Sequence, residues 1–302
     1  MALDQFGAEI FLELVQRMGL KGKSLLTLGR QHLAISPREF SQIPGGSKAP
    51  EGARNAVIRG ETFADEVFSA LGFAAVSSLD ASDYEECSLV HDLNEPIPES
   101  WHGNYDVVFD GGTLEHVFHF PNAVSNAMNL VRPGGLLIMQ SPSNNMNGHG
   151  FFQFSPELFF RLFSEANGFR VACFALFESH RGPQRYSVVD PAELGTRVSF
   201  GGSGPLQSIM AAERITTDAL PLTFPYQSDY ASTWGGKTST TSVSIPVRKS
   251  RIKRHVRRFL PDRILYRYDL AQWNRKNKRR RKSGISKVAS LNECFMDPNR
   301  LS

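Results

Sequence analysis

Little in the sequence marks a secreted or membrane-spanning protein. Its three cysteines, Cys87, Cys173 and Cys294, are odd in number and lack the paired spacing of a disulfide framework or a zinc site. No apolar run approaches the roughly 18 residues that cross a bilayer. The opening stretch MALDQFGAEIFLELVQRMG alternates charge with apolar residues as an amphipathic helix does. Neither a signal peptide nor a membrane span is expected, and a reducing cytoplasm is the expected compartment. With 302 residues, 41% of them hydrophobic, the chain can bury one sizeable core and still carry an appendage.

The net charge of +4 conceals a division. Between Arg248 and Lys287 there are 17 Lys and Arg against two acids, Asp262 and Asp269, which makes this segment +15 and leaves −11 for the rest. Body and tail are electrostatically different objects.

Along the body, Ile10, Leu12, Leu14, Val15 and Met18 fall at roughly helical spacing ahead of Gly19 and Gly22. Short apolar runs of buried-strand type follow at 24–28, 73–76, 89–90, 105–109, 136–139 and 169–177. Between them 61–71, 113–131 and 156–166 read as helices, the last announced by Ser155-Pro156-Glu157. This alternation predicts an α/β fold: a doubly wound, mostly parallel Rossmann-like sheet with helices on both faces and ligands at the carboxyl ends of its strands. The expected division is a Rossmann-like domain over 1–215, with 30–60 as an inserted lid-like segment. An irregular linker over 216–246 and a basic C-terminal tail over 247–302 follow. Because 205–212 supplies what reads as the last strand, the chain up to Pro246 is expected to fold without the tail.

The most informative stretch runs from Tyr105 to Pro142, YDVVFDGGTLEHVFHFPNAVSNAMNLVRPGGLLIMQSP. Three of its pieces, Tyr105-Asp106-Val107-Val108, Leu114-Glu115-His116 and Leu130-Val131-Arg132-Pro133-Gly134-Gly135, stand in order and at a spacing that resembles the class I S-adenosylmethionine-dependent methyltransferases. In that family they mark the fourth strand, the start of the next helix and the turn into the fifth strand. The resemblance implies S-adenosylmethionine as cofactor. Its methionine edge would lie against Asp110, Gly111, Gly112 and Glu115, its ribose against Asp80 at the end of the second strand, and its adenine against Asp92 and Leu93 after the third. Read without the family, Asp80 and Asp92 equally suit ordinary loop and turn positions. The family's glycine loop is degenerate: Leu26-Thr27-Leu28-Gly29-Arg30-Gln31-His32-Leu33 keeps only Gly29, with Thr27 in the acid's place and Gln31 and Leu33 where later glycines stand.

A base for methyl transfer must reach the acceptor and titrate near neutrality, which points to histidine. His116, His119, His149 and His180 are available, and each also suits a satisfied polar role. His149, in the polar loop Asn144–Gly150 after the fifth strand, and His116, in the Leu-Glu-His triplet, are the catalytic candidates. His116 and His119, at i and i+3, could face one metal, but the sequence offers no clear third ligand and no metal is expected. A small-molecule or sugar-type acceptor, as in cell-surface polysaccharide assembly, is expected ahead of RNA. The basic tail, with Phe259, Leu260, Tyr266 and Trp273 among its charges, suits an anionic membrane surface at the inner face, RNA, or a solvated basic face. A Rossmann-like scaffold without catalysis is the non-enzymatic alternative.

Overall fold

The computed structural model describes residues 2–178, 184–195, 197–200, 204–217, 220, 223–235 and 284–296. The chain opens with β1 (Ala2–Leu3) and α1 (Gln5–Arg17), then β2 (Ser24–Leu28), β3 (His32–Leu33), α2 (Pro37–Gln42), α3 (Glu51–Arg59), α4 (Asp65–Leu71) and β4 (Ala75–Asp80). It continues through β5 (Leu89–Val90), β6 (Tyr105–Asp110), α5 (Phe120–Leu130), β7 (Val131–Asn144), α6 (Pro156–Leu162) and β8 (Phe169–Glu178). After β9 (Gln184–Val188), α7 (Pro191–Leu194), β10 (Leu206–Arg214) and α8 (Ser228–Gly235), the last strand is β11 (Ile285–Val288).

The main sheet has the order β11-β9-β8-β10-β7-β6-β2-β4-β5. From β5 to β7 every pairing is parallel, whereas β10 runs antiparallel to both β7 and β8. The arrangement is the Rossmann-like, doubly wound sheet that the strand–helix alternation predicts, with an antiparallel extension at one side. One face buries Phe6, Ile10, Phe11 and Leu14 of α1 against Phe68 of α4 and Phe109 of β6. The opposite face buries α5 and α6 through Val124, Met128, Phe159 and Phe160. Asp4 caps α1 by accepting hydrogen bonds from the Phe6 and Gly7 amides at 3.0 and 2.9 Å. Among the described residues no helix is long and apolar enough to cross a membrane.

At the amino ends of the central strands, Asp106 accepts hydrogen bonds from the Ser24 amide and hydroxyl, both at 2.8 Å, and pairs with Arg132. Burial pushes its pKa up, but these hydrogen bonds and the charges of Arg132 and Lys23 outweigh that, and its pKa lies below the ordinary value. The aspartate of the Tyr-Asp-Val-Val motif thus ties β6 to β2 and β7. The Pro-Gly-Gly turn serves the same place: α5 already ends at Leu130, Val131 pairs with Tyr105, and the register shifts before Leu136 pairs with Val107. A Cβ on Gly135 would stand 2.6 Å from the Asp106 carbonyl oxygen, so glycine is required for that approach.

Three boundaries differ from those the sequence predicts. The 30–60 segment is a packed part of the domain: β3 pairs with β1, and α2 and α3 bury Phe40, Ala53, Ala56 and Val57 in the core. Its Gly, Pro and Ser residues serve the ends of short helices, as in the Ser36–Glu39 capping box before α2. Within 216–246, residues 228–235 form α8. The stretch read as a tail also returns to the sheet, because β11 pairs with β9 from Ile285↔Val188 to Val288↔Arg185. Beyond it, Leu291 is fully buried and its amide donates to Glu9 Oε1 at 3.1 Å, while Arg185 Nε donates to Glu9 Oε2 at 2.8 Å. One buried carboxylate therefore joins α1, β9 and the C-terminal segment. Its neighbour Leu291 makes the test: Leu291→Ala is expected to cost about 2–5 kcal/mol in urea denaturation. Truncation after Pro246 should lower the melting temperature instead of leaving the body intact.

Candidate functional site

The carboxyl ends of β4, β2, β6 and β7 meet around a turn that Asp110 sets. Asp110 ends β6 fully buried, and its Oδ1 accepts the amides of Thr113 at 2.7 Å and Leu114 at 3.3 Å. These bonds fold Gly111 and Gly112 outward and start a short 3-10 turn, Leu114–His116. Gly112 has φ +103°, which disfavours any side chain, and a Cβ there would lie 3.1 Å from Glu115 Oε1.

Glu115 points back inside, its side chain 1% exposed, and its Oε1 lies 3.1 Å from His149 Nε2. The loop carrying His149 docks on the same residue, since the amides of Phe151 and Phe152 donate to the Glu115 carbonyl at 2.8 and 3.2 Å. Gly150, at φ +70°, passes so close that a Cβ would sit 2.9 Å from that carbonyl oxygen. The His116 and His149 rings lie side by side, centroids 5.1 Å apart. Burial raises the pKa of both carboxyls above the usual range, and the Glu115 charge adds to the rise at Asp110. His116 titrates below an ordinary imidazole because of partial burial and the neighbouring His149.

Two cavities flank Gly112. The larger, about 310 Å³, lies over the ends of β4 and β5 and is lined by Asp80, Asp92, Leu93, Asn94, Thr113 and His116. That volume stands at the lower end of the roughly 300–1,000 Å³ of ligand pockets. The smaller, about 150 Å³, is lined by Asp4, Gly111, Glu115, Gln140, Ser141 and His149. Around it stand buried polar atoms without a hydrogen-bond partner: Glu115 Oε2, Gln140 Oε1, Ser141 Oγ, and just behind them Asp110 Oδ2 and Gln31 Oε1. Nearly all are acceptors. Such a wall calls for a cationic or strongly donating group.

The expected site residues are placed unevenly. Asp80, Asp92, Leu93 and His116 line the larger cavity, Gly111, Glu115 and His149 the smaller, and Gly112 both. Asp92 is exposed and its Oδ1 accepts the amide and side-chain nitrogen of Asn94, at 2.9 and 2.8 Å, which holds its pKa low. Asp80 Oδ1 accepts the Ala81 amide at 2.6 Å. Gly29 lines neither cavity. In its stead the buried side chain of Gln31 donates to the Leu28 and Gly29 carbonyls at 2.8 and 3.0 Å and fills the space beside Gly111, where a Cβ would stand 2.1 Å from Gln31 Oε1. Arg30 and His32 are drawn to the 80–87 loop, with Arg30 Nη1 donating to the Glu85 carbonyl and His32 Nε2 2.8 Å from Glu85 Oε1.

His119 does not share His116's surroundings: its Nδ1 lies 3.2 Å from the Asn94 carbonyl oxygen. The partner of His116 is His149, and with Glu115 they form a group whose ligand atoms all lie within 4.8 Å of one another. The pair His116 and His119 is thus not brought together, and His116 stands instead with Glu115 and His149. His180 and most of the basic segment lie outside the described residues. Asp4, Gln31, Gln140 and Ser141 have no motif signature and were not anticipated.

No family model and no curated protein matches the chain. Among solved structures, similarity extends to the 1,6-didemethyltoxoflavin-N1-methyltransferase of Burkholderia thailandensis, at 12% identity over 70% of this chain and 78% of that one, TM-score 0.38. That structure holds S-adenosylhomocysteine and 1,6-didemethyltoxoflavin. The branched-chain polyamine synthase of Thermus thermophilus, in complex with 5'-methylthioadenosine, matches at 15% identity over 74% and 61%, TM-score 0.35. The methyltransferase domain of the citrinin polyketide synthase matches at 11% over 70% and 52%, TM-score 0.39. At such identities and scores these likenesses carry no argument about activity, so the site's own geometry must.

The buried carboxyl pair makes stability depend on pH. Groups whose folded pKa is raised stay protonated in the fold while the unfolded chain has already ionised, so stability falls as pH rises from about 4 through the raised values. Asp110→Asn, nearly isosteric and unable to ionise, should show a shallower decline of melting temperature between about pH 5 and 8 than the wild type, read by calorimetry across that range.

Proposed function

We propose that the protein is a class I S-adenosylmethionine-dependent methyltransferase acting on a small-molecule or sugar-type acceptor. One observation carries the reading: a nucleoside-scale cavity at the strand carboxyl ends shares its Gly112 wall with a second pocket walled by unpaired acceptors. S-adenosylmethionine offers a matching sequence of groups, an adenosine followed by a sulfonium and an ammonium. Asp80 would accept the ribose hydroxyls, and Asp92 with the Leu93 backbone would meet the adenine. Asp110, Glu115 and the Gly111–Gly112 backbone would face the positively charged end. Gln31 takes the place of the glycine loop's close approach by bracing the Leu28 and Gly29 carbonyls, and the adjoining backbone presents Gly111 instead.

On the acceptor side, His149 is half-exposed and held by Glu115. Phe118 and Phe151, both exposed, meet edge to face at 5.9 Å beside His116 and His149. Such an exposed aromatic pair fits the apolar face of a ring or sugar. In the reaction the acceptor hydroxyl gives its proton to His149 as its oxygen attacks the methyl carbon. The carbon–sulfur bond breaks with its electron pair on sulfur, leaving neutral S-adenosylhomocysteine and a protonated histidine stabilised by Glu115. The +15 segment is proposed to hold the enzyme at an anionic membrane surface where such acceptors are assembled, with RNA as the lesser alternative.

Titration calorimetry with S-adenosylhomocysteine is the test, and Asp80→Ala and Asp92→Ala should each weaken binding by about 1–3 kcal/mol. Absence of heat and of a thermal shift at millimolar cofactor would reject the enzyme and leave a Rossmann-like scaffold whose glycine loop Gln31 has closed. His149→Ala should lower turnover far more than it weakens cofactor binding, since the base acts on the acceptor while its contact to the cofactor site runs through Glu115.

A further inference from the structure

The geometry points to a divalent metal site formed by Glu115, His116 and His149. The ligand atoms of these three side chains lie within 4.8 Å of one another, and no motif or likeness assigns them this role. Glu115 Oε1 and His149 Nε2 are 3.1 Å apart. Two donors bonded to one ion at about 2.0–2.2 Å and at near-right angles stand about that far from each other. His116 follows Glu115 on the same 3-10 turn, its ring 5.1 Å from that of His149. A small rotation of the two exposed imidazoles converges all three donors.

A second, independent observation is an unmet buried acceptor at this point. Glu115 Oε2, on a side chain 1% exposed, has no hydrogen-bond partner, and Asp110 Oδ2 behind it has none either. Among the described residues, no ion pair brings a Lys or Arg to either carboxyl. Leaving such groups unmet costs folding energy, which a bound dication would recover. The donor set is two imidazoles and one carboxylate, with solvent on the imidazole side. It suits borderline first-row ions such as Mn²⁺, Fe²⁺, Co²⁺ or Zn²⁺ better than Ca²⁺ or Mg²⁺, which prefer all-oxygen shells. Three protein ligands leave open positions on the exposed side, where the two histidines meet solvent.

The use of such an ion rests on the methyl-transfer reading, whereas its binding does not. With an ion present, His149 is a ligand and not a base. The ion acidifies an acceptor hydroxyl that reaches the open positions, and the proton passes to solvent. Two adjacent oxygens could occupy those positions together, so the acceptor class narrows to vicinal diols, sugar hydroxyl pairs or catechols.

The probe is Co²⁺ added without cofactor or acceptor to the full chain after EDTA treatment and dialysis, followed by calorimetry and visible d–d absorption. One equivalent is expected to bind saturably with a ligand-field spectrum, and His116→Ala and His149→Ala should each weaken binding by about tenfold or more. Both histidines are exposed, so these variants retain the fold, and unchanged melting temperatures in EDTA would document it. Absence of saturable binding in the wild type overturns the site, as does His116→Ala binding Co²⁺ as tightly as the wild type. The two proposals fail separately. Co²⁺ binding without S-adenosylhomocysteine binding upholds the metal site and rejects the methyltransferase. Cofactor binding with no Co²⁺ binding rejects the metal site and leaves the Glu115–His149 dyad as base.

Discussion

Everything at the site depends on the burial of Asp110. A carboxylate at the end of a central strand, fully buried, is held there by the amides it accepts from Thr113 and Leu114. That pair of bonds reverses the chain at once. It presents two glycines to the space above the sheet and aims Glu115 inward and His116 outward three residues later. The same turn buries both carboxyls, and burial is the main reason they hold protons more tightly than free ones, the Glu115 charge adding to the rise at Asp110. Strain of this kind in a native fold is commonly retained where a ligand relieves it.

The second support comes from the other side of the sheet's crest. The 144–152 loop leaves β7 and is fastened to Glu115 twice through the backbone and once through His149. Gly150 lets it descend to that contact. An acid on one connection and a histidine on another are therefore held as one unit, even though neither sits on an α-helix or strand. Meanwhile the aspartate of the Tyr-Asp-Val-Val run, which looks like a site residue by its company, works at the far end of the sheet. There it ties three strand starts together through Ser24 and Arg132.

Much of this was legible in the sequence because it is periodic or local. The strand–helix alternation gave the sheet. Asp110-Gly111-Gly112 and Leu114-Glu115-His116 are contiguous, so their turn could be read directly. What escaped is assembled from a distance. Gln140 and Ser141 reach the smaller cavity from β7 and Asp4 from the cap of α1, and they carry no signature as single residues in apolar or helical stretches. The contact between Glu115 and His149 spans 34 residues, so the metal-capable trio could not be seen where His116 and His119 looked like the natural pair. Gln31 was visible only as a departure from a glycine pattern; that its amide would brace two carbonyls is a matter of geometry. The short strand Ile-Ser-Lys-Val was concealed by the charge around it. Its apolar residues lie at the two ends, and its membership follows from pairing with β9 and from Leu291 beyond it.

That return has a mechanical consequence. Because residues 284–296 are anchored in the sheet, and Leu291 is fixed to Glu9, the cationic stretch is followed in the chain by a packed segment. A stretch held at its far end has a bounded reach. A pull on that stretch would load β11 at the sheet's edge and, through Glu9, the first helix. A single nick in the stretch would leave the packed segment in place but sever that line of force.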